Sequence, residues 1–415
     1  MKKRSLSENI IKNIYPMKRT LFFMVFIFLI SAVFAQAGIT EKNTGLIQAA
    51  EKGILQDVRT ALADGADINA MTLKKYYGVF AKGITALIAA SENGHTEVVK
   101  LLLDRGADIN IHRTPDNVTA LMLAAENGHT EVVKLLLNKG NDVNATSKFG
   151  VTALMTAAQN GHAEIVKLLM DKGADVNIKR NIEKITALIA ASENGHAAVV
   201  KLLMDKGADV NVKRAADGAT ALIISAEKGH TEVVKLLLDK GADANEKRGS
   251  DNVTALMMAA ENGHAEIVKL LLDKGADTNV KSKLNGATAL IMAAQKGYIA
   301  VVKQLLDKGA NVNAKTNFNN VTALMMAAEN GHTEIVKLLL DKDADINTKN
   351  NDGITALMVT SQNGHLDTVK LLLDRGADVN VKATIDGVDY TALKIAKYRN
   401  RSDIAEILEK SGARE

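Results

Sequence analysis

Eight of the nine histidines fall at one phase of a recurring phrase: His95, His129, His162, His196, His230, His264, His332 and His365. A ladder of imidazoles at fixed spacing is an arrangement that metal chemistry would use. If the period is that of stacked helical layers, however, neighbouring rings stand about 8–10 Å apart. The ligands of one zinc ion each lie within ~2.1 Å of it. Adjacent histidines therefore cannot share a metal, and the pattern predicts imidazoles that brace turns. Tyr298 at the same phase fits that reading. Glu92, Glu126, Glu261 and Glu329 recur one per period, too dispersed for a paired-carboxylate site. There is no nucleophile elbow, Walker loop, dinucleotide fingerprint or H-E-x-x-H motif. With no cysteine, disulfides, thiolate catalysis and Cys-type zinc sites are excluded. These residues predict a chain that is not an enzyme and needs no cofactor or metal.

What positions the histidines is the phrase itself, best seen from Thr254 to Asn279: TALMMAAENGHAEIVKLLLDKGADTN. Its opening threonines stand at Thr85, Thr119, Thr152, Thr186, Thr220, Thr254, Thr288, Thr322 and Thr355, 33 or 34 residues apart. Degenerate copies open at Thr44 and Thr391, giving about eleven units. A constant period of this length signals stacked supersecondary modules in which each unit touches only its neighbours. Aromatic content of 3% with no tryptophan would starve a globular core of this size. A core of Ala, Leu, Ile, Val and Met layers does not need aromatics.

Within one unit, Thr254 has N-cap chemistry and Ala255–Ala260 is apolar, with small residues where layers approach closely. Asn262-Gly263 ends that helix through left-handed backbone. Ala265–Asp273 is a second helix with Ile267, Val268, Leu270, Leu271 and Leu272 inward, and Gly275 stops it. From Asp277 to the next threonine the chain forms a projecting finger. Asn117, Asn252 and Asn320 match a glycosylation sequon, but they occupy the turn position held elsewhere by Gly150, Gly218, Gly286 and Gly353. Asp343 stands where other units have glycine. A left-handed backbone there makes the ninth unit a soft joint, by about 0.5–1 kcal/mol.

Over residues 41–414 the phrase resembles the ankyrin repeat. The family's T-P-L-H appears here as T-A-L followed by Ile or Met, as at Ile88, Met122, Met155, Ile189 and Met257. Alanine tolerates that place, and the hydrogen-bond network of the family's histidine should be absent. The resemblance implies an all-α solenoid of helix–turn–helix units with projecting β-turn fingers. It also implies a scaffold that binds a protein partner on the concave surface made by fingers and first helices.

The organisation predicted is a leader over 1–37, an N-terminal capping unit with a long finger over 41–84, nine internal repeats over 85–380 and a C-terminal capping unit over 381–415. Gln48, Lys52, Gln56, Arg59 and Thr60 make the first cap polar. Lys394, Lys397, Arg399, Arg401, Glu406, Glu409 and Lys410 do so for the last, closing the array at both ends. The leader joins Lys18-Arg19, an apolar run Leu21–Ile30 and small residues to Ala37, the pattern of a secretory signal peptide. Cleavage after Ala35 or Ala37 is expected, with translation starting at Met17 and residues 1–16 dispensable. The protein is thus expected in a bacterial periplasm or outside the cell, with no membrane span once the leader is removed. An uncleaved leader would instead make a membrane-tethered scaffold. The formal charge is +4, of which six cations and one carboxylate within residues 1–37 supply +5, leaving the body at −1. Such a body has no overall field for nucleic acid.

Residues preceding each Gly-His hardly vary, as in Glu126-Asn127, Glu193-Asn194 and Glu261-Asn262, so specificity is expected in the fingers. Tyr76, Tyr77 and Phe80 in the longest finger, with Phe149 and Phe318, are aromatics placed on loops and hence candidate anchors. Ile182, Leu284 and Ile385 occupy comparable tips. The competing expectation is that the tips pack on one another. A basic row, Lys179, Lys213, Lys247, Lys281, Lys315, Lys349 and Lys382, follows the same edge. It is doubled at Lys179-Arg180, Lys213-Arg214 and Lys247-Arg248. Such a stripe suits an acidic protein surface or a polyanion, or simply solvates the edge.

Overall fold

The computed structural model describes residues 41–76, 79–385 and 387–414, with the backbone alone for 73–76 and 79–82. The leader expected over 1–37 and Tyr77 lie outside the described residues. Among the described residues there are twenty-two helices and three two-stranded hairpins. The helices come in pairs, one pair per period. No helix among them is long and apolar enough to cross a membrane.

Thr44 lies inside the helix Glu41–Lys52, but from Thr85 to Thr391 each opening threonine does what its chemistry predicts. Its extended backbone lets the hydroxyl accept the amide hydrogen three residues on, at 3.2 Å from Ile88 to Thr85 and 3.3 Å from Met257 to Thr254. That satisfies one of the free donors of the first turn. In the reference unit the helices are Ala255–Glu261 and Ala265–Asp273. Two details differ from expectation. Asn262 is not left-handed (φ −97°); only Gly263 is, and the asparagine instead donates its side-chain amide to the Met258 carbonyl at 2.9 Å. Leu270 is only half-buried, because Ile267, Val268, Leu271 and Leu272 already fill the inward stripe.

Contacts divide the chain into residues 1–175 and 176–415. In the first body, first helices pack in sequence order: Glu41–Lys52 on Ala86–Glu92, then Ala120–Glu126, then Ala153–Gln159. In the second body the same rule runs from Ala187–Glu193 to Ala392–Tyr398. Close approach requires small side chains at the seam. Ala124, Ala125, Ala157 and Ala158 in one body, and Ala259, Ala260, Ala293 and Ala294 in the other, are fully buried. Second helices supply the larger core residues: Val133, Leu136, Val268 and Leu271 have no exposed surface, each burial worth roughly 1.5–3 kcal/mol. A single pair of helices has too little apolar area to fold alone, so each unit depends on its neighbour.

The phase of the histidines predicts rings that brace turns, and the structure shows them also joining each unit to the one before. Nε2 of His129 donates to the Glu92 carbonyl at 3.0 Å, and His162 to Glu126 at 3.0 Å. In the second body His230, His264 and His365 reach Glu193, Glu227 and Glu329 at 3.0, 3.2 and 2.9 Å. Each ring also lies on the left-handed glycine of the preceding unit. A Cβ on Gly229 (φ +81°) would sit 2.7 Å from Cε1 of His264. Glycine is therefore needed there twice, for its backbone and for the ring's space.

Asp343 is left-handed, φ +62°, as its place among glycines predicts. The helix before it, Thr333–Leu340, is one residue shorter than the neighbouring Ile299–Asp307, and Leu340 is half-exposed where Leu306 is buried. Asn117, Asn252 and Asn320 are left-handed too (φ +56°, +59° and +52°), which accounts for asparagine at those turns. The polar residues expected on the outer faces of the terminal units are all exposed.

Candidate partner-binding surface

The fingers are built by a local rule that a bare count of charges hides. In five of them a side chain reaches another three positions on, closing the loop. Arg113 holds Asp116 at 2.7 Å in the first body. In the second, Arg180 holds Glu183 at 3.0 Å, Arg214 holds Asp217 at 2.8 Å and Arg248 holds Asp251 at 2.6 Å. The carboxylate then accepts a main-chain hydrogen two residues later, Ala219 to Asp217 at 3.0 Å and Val253 to Asp251 at 3.2 Å. The Arg214 guanidinium holds the Asp217 carboxyl below the usual carboxylate range, and Arg248 does the same for Asp251. In the next finger the pair is neutral, Ser282 donating to Asn285. At 316–321 the loop is closed by Val321 donating to Thr316 Oγ1 at 2.9 Å.

Fingers are also tied to one another through the backbone. In the first body Lys148 donates to the Asp116 carbonyl at 2.8 Å. In the second, Ala215 donates to Glu183 at 2.8 Å, Lys283 to Asp251 at 2.7 Å, Asn317 to Asn285 at 2.8 Å and Asn351 to Asn319 at 3.2 Å. The loops are therefore a hydrogen-bonded ladder. Preorganisation of this kind lowers the ordering cost of binding.

The longest finger is a hairpin of β1 (Thr72–Tyr76) and β2 (Val79–Ile84), with Tyr76 facing Val79 and Lys75 facing Phe80 in the register. Tyr76 and Phe80 are thus placed on strands, and their side chains lie outside the described residues, as does all of Tyr77. Shorter hairpins stand at β3 (His112–Arg113) with β4 (Val118–Thr119) and at β5 (Ala383–Ile385) with β6 (Val388–Tyr390). Phe149 is 52% exposed in the first body. In the second, Ile182, Leu284 and Phe318 are 80%, 67% and 75% exposed, so these tips do not pack away on one another.

The basic row resolves into two kinds of cation. Arg180, Arg214 and Arg248 are consumed by loop closure, and Lys213 pairs with Glu246 at 2.7 Å, depressing that carboxyl. Lys382 pairs with Asp389 at 3.3 Å. Lys179 and Lys247 are exposed, with no ion-pair partner among the described residues. Lys281 and Lys315 are exposed as well, and Lys281 Nζ donates to the Lys315 carbonyl at 2.8 Å. The doubled Lys-Arg steps therefore do not present two free charges each, because each arginine answers an acid three residues on. Glu183, Asp217 and Asp251 are the partners that counting missed, and the Arg-x-x-acid spacing was the signal for them.

Among the described residues no group of three His, Asp or Glu side chains is placed to hold a metal ion. A recess of about 370 Å³ lies on the polar face of the first unit between Lys42, Gln48, Lys52, Asp57 and Asp64. Its mixed charges and shallow walls offer no convergent set of catalytic groups. A family model described as ankyrin repeats (3 copies) matches residues 25–113, 46–147, 121–214, 188–282, 256–350, 290–383 and 324–414. No curated protein sequence matches the chain significantly.

Proposed function

The chain belongs to the ankyrin repeat family, and we propose that it is an exported, non-enzymatic scaffold that binds a protein partner through its fingers and first helices. Ankyrin repeats generally serve protein–protein interaction. The observation that carries the reading here is the contrast between invariant and variable surface. Helices repeat almost verbatim, while the side chains that differ from unit to unit project from hydrogen-bonded loops, at Phe149 in the first body and at Ile182, Leu284 and Phe318 in the second. Large apolar side chains on an ordered loop edge are what binding energy usually comes from.

A polyanion would use the basic row instead. Pairing of Arg180, Lys213, Arg214 and Arg248 within and between fingers weighs against it, since those cations already have carboxylates. Export is supported by the leader-like sequence before Ala37 alone. Cross-linking in intact cells, followed by mass spectrometry of what the full chain captures, tests the scaffold reading. Reproducible cross-links from finger residues to one protein are expected. Cross-links confined to the second helices would overturn it. N-terminal sequencing of the mature chain tests export: a start at Gln36 or Gly38 is expected, and a retained apolar segment means a tethered scaffold.

A further inference from the structure

Resting on that scaffold reading, we infer that the fingers at 279–287 and 313–321 form one binding site for an acidic protein segment carrying apolar side chains, with Leu284 and Phe318 as its anchors. Three independent features meet there. The first is apolar exposure on neighbouring units. Leu284 and Phe318 are 67% and 75% exposed and one period apart, whereas Ile182 is followed by Ala216 and Ser250 at the same tip position. Leu284 and Phe318 thus give two large contacts on adjacent units of the second body. Layers are about 8–10 Å apart, and a polyproline II segment rises about 3.1 Å per residue with three residues per turn. Side chains three residues apart on such a segment share a face about 9 Å apart and match the two tips.

The second feature is rigidity. Asn317 donates to the Asn285 carbonyl at 2.8 Å, and Lys281 to that of Lys315 at 2.8 Å. A Cβ on Gly286 would lie 2.6 Å from the Asn317 nitrogen, so only glycine lets the two loops approach this closely. On the far side Asn351 donates its side-chain amide to the Phe318 carbonyl at 2.8 Å and to Asn319 through its main chain at 3.2 Å. Both anchors therefore stand on clamped backbone and lose little freedom on binding.

The third is charge. Here the loop-closing groups are neutral, Ser282 with Asn285 and Thr316 with the Val321 amide, in place of the arginine–carboxylate pairs of the preceding fingers. No acid stands at 279–287 or 313–321, and Lys281, Lys283 and Lys315 are exposed around the anchors. Uncompensated lysines flanking exposed Leu and Phe call for carboxylates flanking apolar groups.

The test uses the full chain and a labelled twelve-residue peptide of repeated Glu-Glu-Leu triplets, read by fluorescence anisotropy at low and physiological salt. Controls replace Glu by Gln, or Leu by Ser, and vesicles of phosphatidylserine in phosphatidylcholine test a lipid source of the same chemistry. Saturable peptide binding is expected, weakened at least tenfold by Leu284→Ser with Phe318→Ser, by either control peptide, and by salt. Ile182→Ser should leave it unchanged, and circular dichroism should show every variant folded. The inference is overturned if the Gln peptide binds equally, if the double variant binds as well as the parent, or if vesicles bind and the peptide does not. Should the double variant lose the peptide but keep cross-links to its cellular partner, that partner uses other fingers: this site fails and the scaffold reading survives.

Discussion

Replacing Gly229 by alanine should cost more than the same change at Gly241, although both glycines lie in one unit with almost the same backbone. Their φ angles are +81° and +86°. A left-handed L-residue costs roughly 1–2 kcal/mol, offset by about 0.4–1 kcal/mol from the stiffer unfolded chain. At Gly241 nothing lies within 4 Å of the new Cβ, so strain is the whole effect, about 0.5–1 kcal/mol. At Gly229 the Cβ would be 2.7 Å from Cε1 of His264, closer than such carbons come, and the ring must move. Moving it breaks the 3.2 Å hydrogen bond from Nε2 to the Glu227 carbonyl, which adds about 0.5–1.5 kcal/mol. Native-state hydrogen exchange of the full chain reads both, through amides of Ala221–Lys228 and Ala265–Asp273. A lost 1.4 kcal/mol is about a tenfold change in the opening equilibrium, so Gly229→Ala should exchange roughly two- to tenfold faster there than Gly241→Ala. Equal rates in the two variants would refute the claim that the imidazole couples one unit to the next.

Asp343→Gly should slow exchange over 337–347 by relieving left-handed strain, with an expected gain of about 0.5 kcal/mol after the entropy cost of glycine; faster exchange would show that the aspartate is not strained. Asp217 and Asp251 have folded-state pKa values held below their unfolded value by Arg214 and Arg248. Their contribution is present above the unfolded carboxylate pKa, near pH 4, and is lost as pH falls through the lower folded values. Exchange at 214–219 and 248–253 should therefore accelerate below about pH 4 before the helices open, and simultaneous loss of helix and finger protection would contradict this. Leu271→Ala removes a fully buried side chain and should destabilise by about 2–5 kcal/mol in urea unfolding. Leu270→Ala, at a half-buried position, should cost clearly less.

The helices were legible because a threonine cap, an alanine seam and a Val/Ile–Leu stripe recur in phase, and each has one physical meaning wherever it falls. Left-handed asparagines at 117, 252 and 320 and Asp343 were legible for the same reason: they replace glycine in a fixed frame. Charge on the fingers was not. Arg180, Arg214 and Arg248 read as an exposed stripe when counted along the row, but each pairs along its own loop, a contact at right angles to the repeat. Leu270 misled because its run of leucines has no internal marker of which one faces out. The closeness of the fingers at Gly286 and Asn317 depends on how successive loops nest, which no single unit's sequence encodes.

Hydrogen exchange of the full chain, measured alone and bound to the partner captured in cells, tests the role of the fingers most directly. Slowed exchange at 279–287 and 313–321, with Ala265–Asp273 unchanged, is the predicted result. Slowing confined to the second helices, with the fingers exchanging as in the free chain, would contradict it.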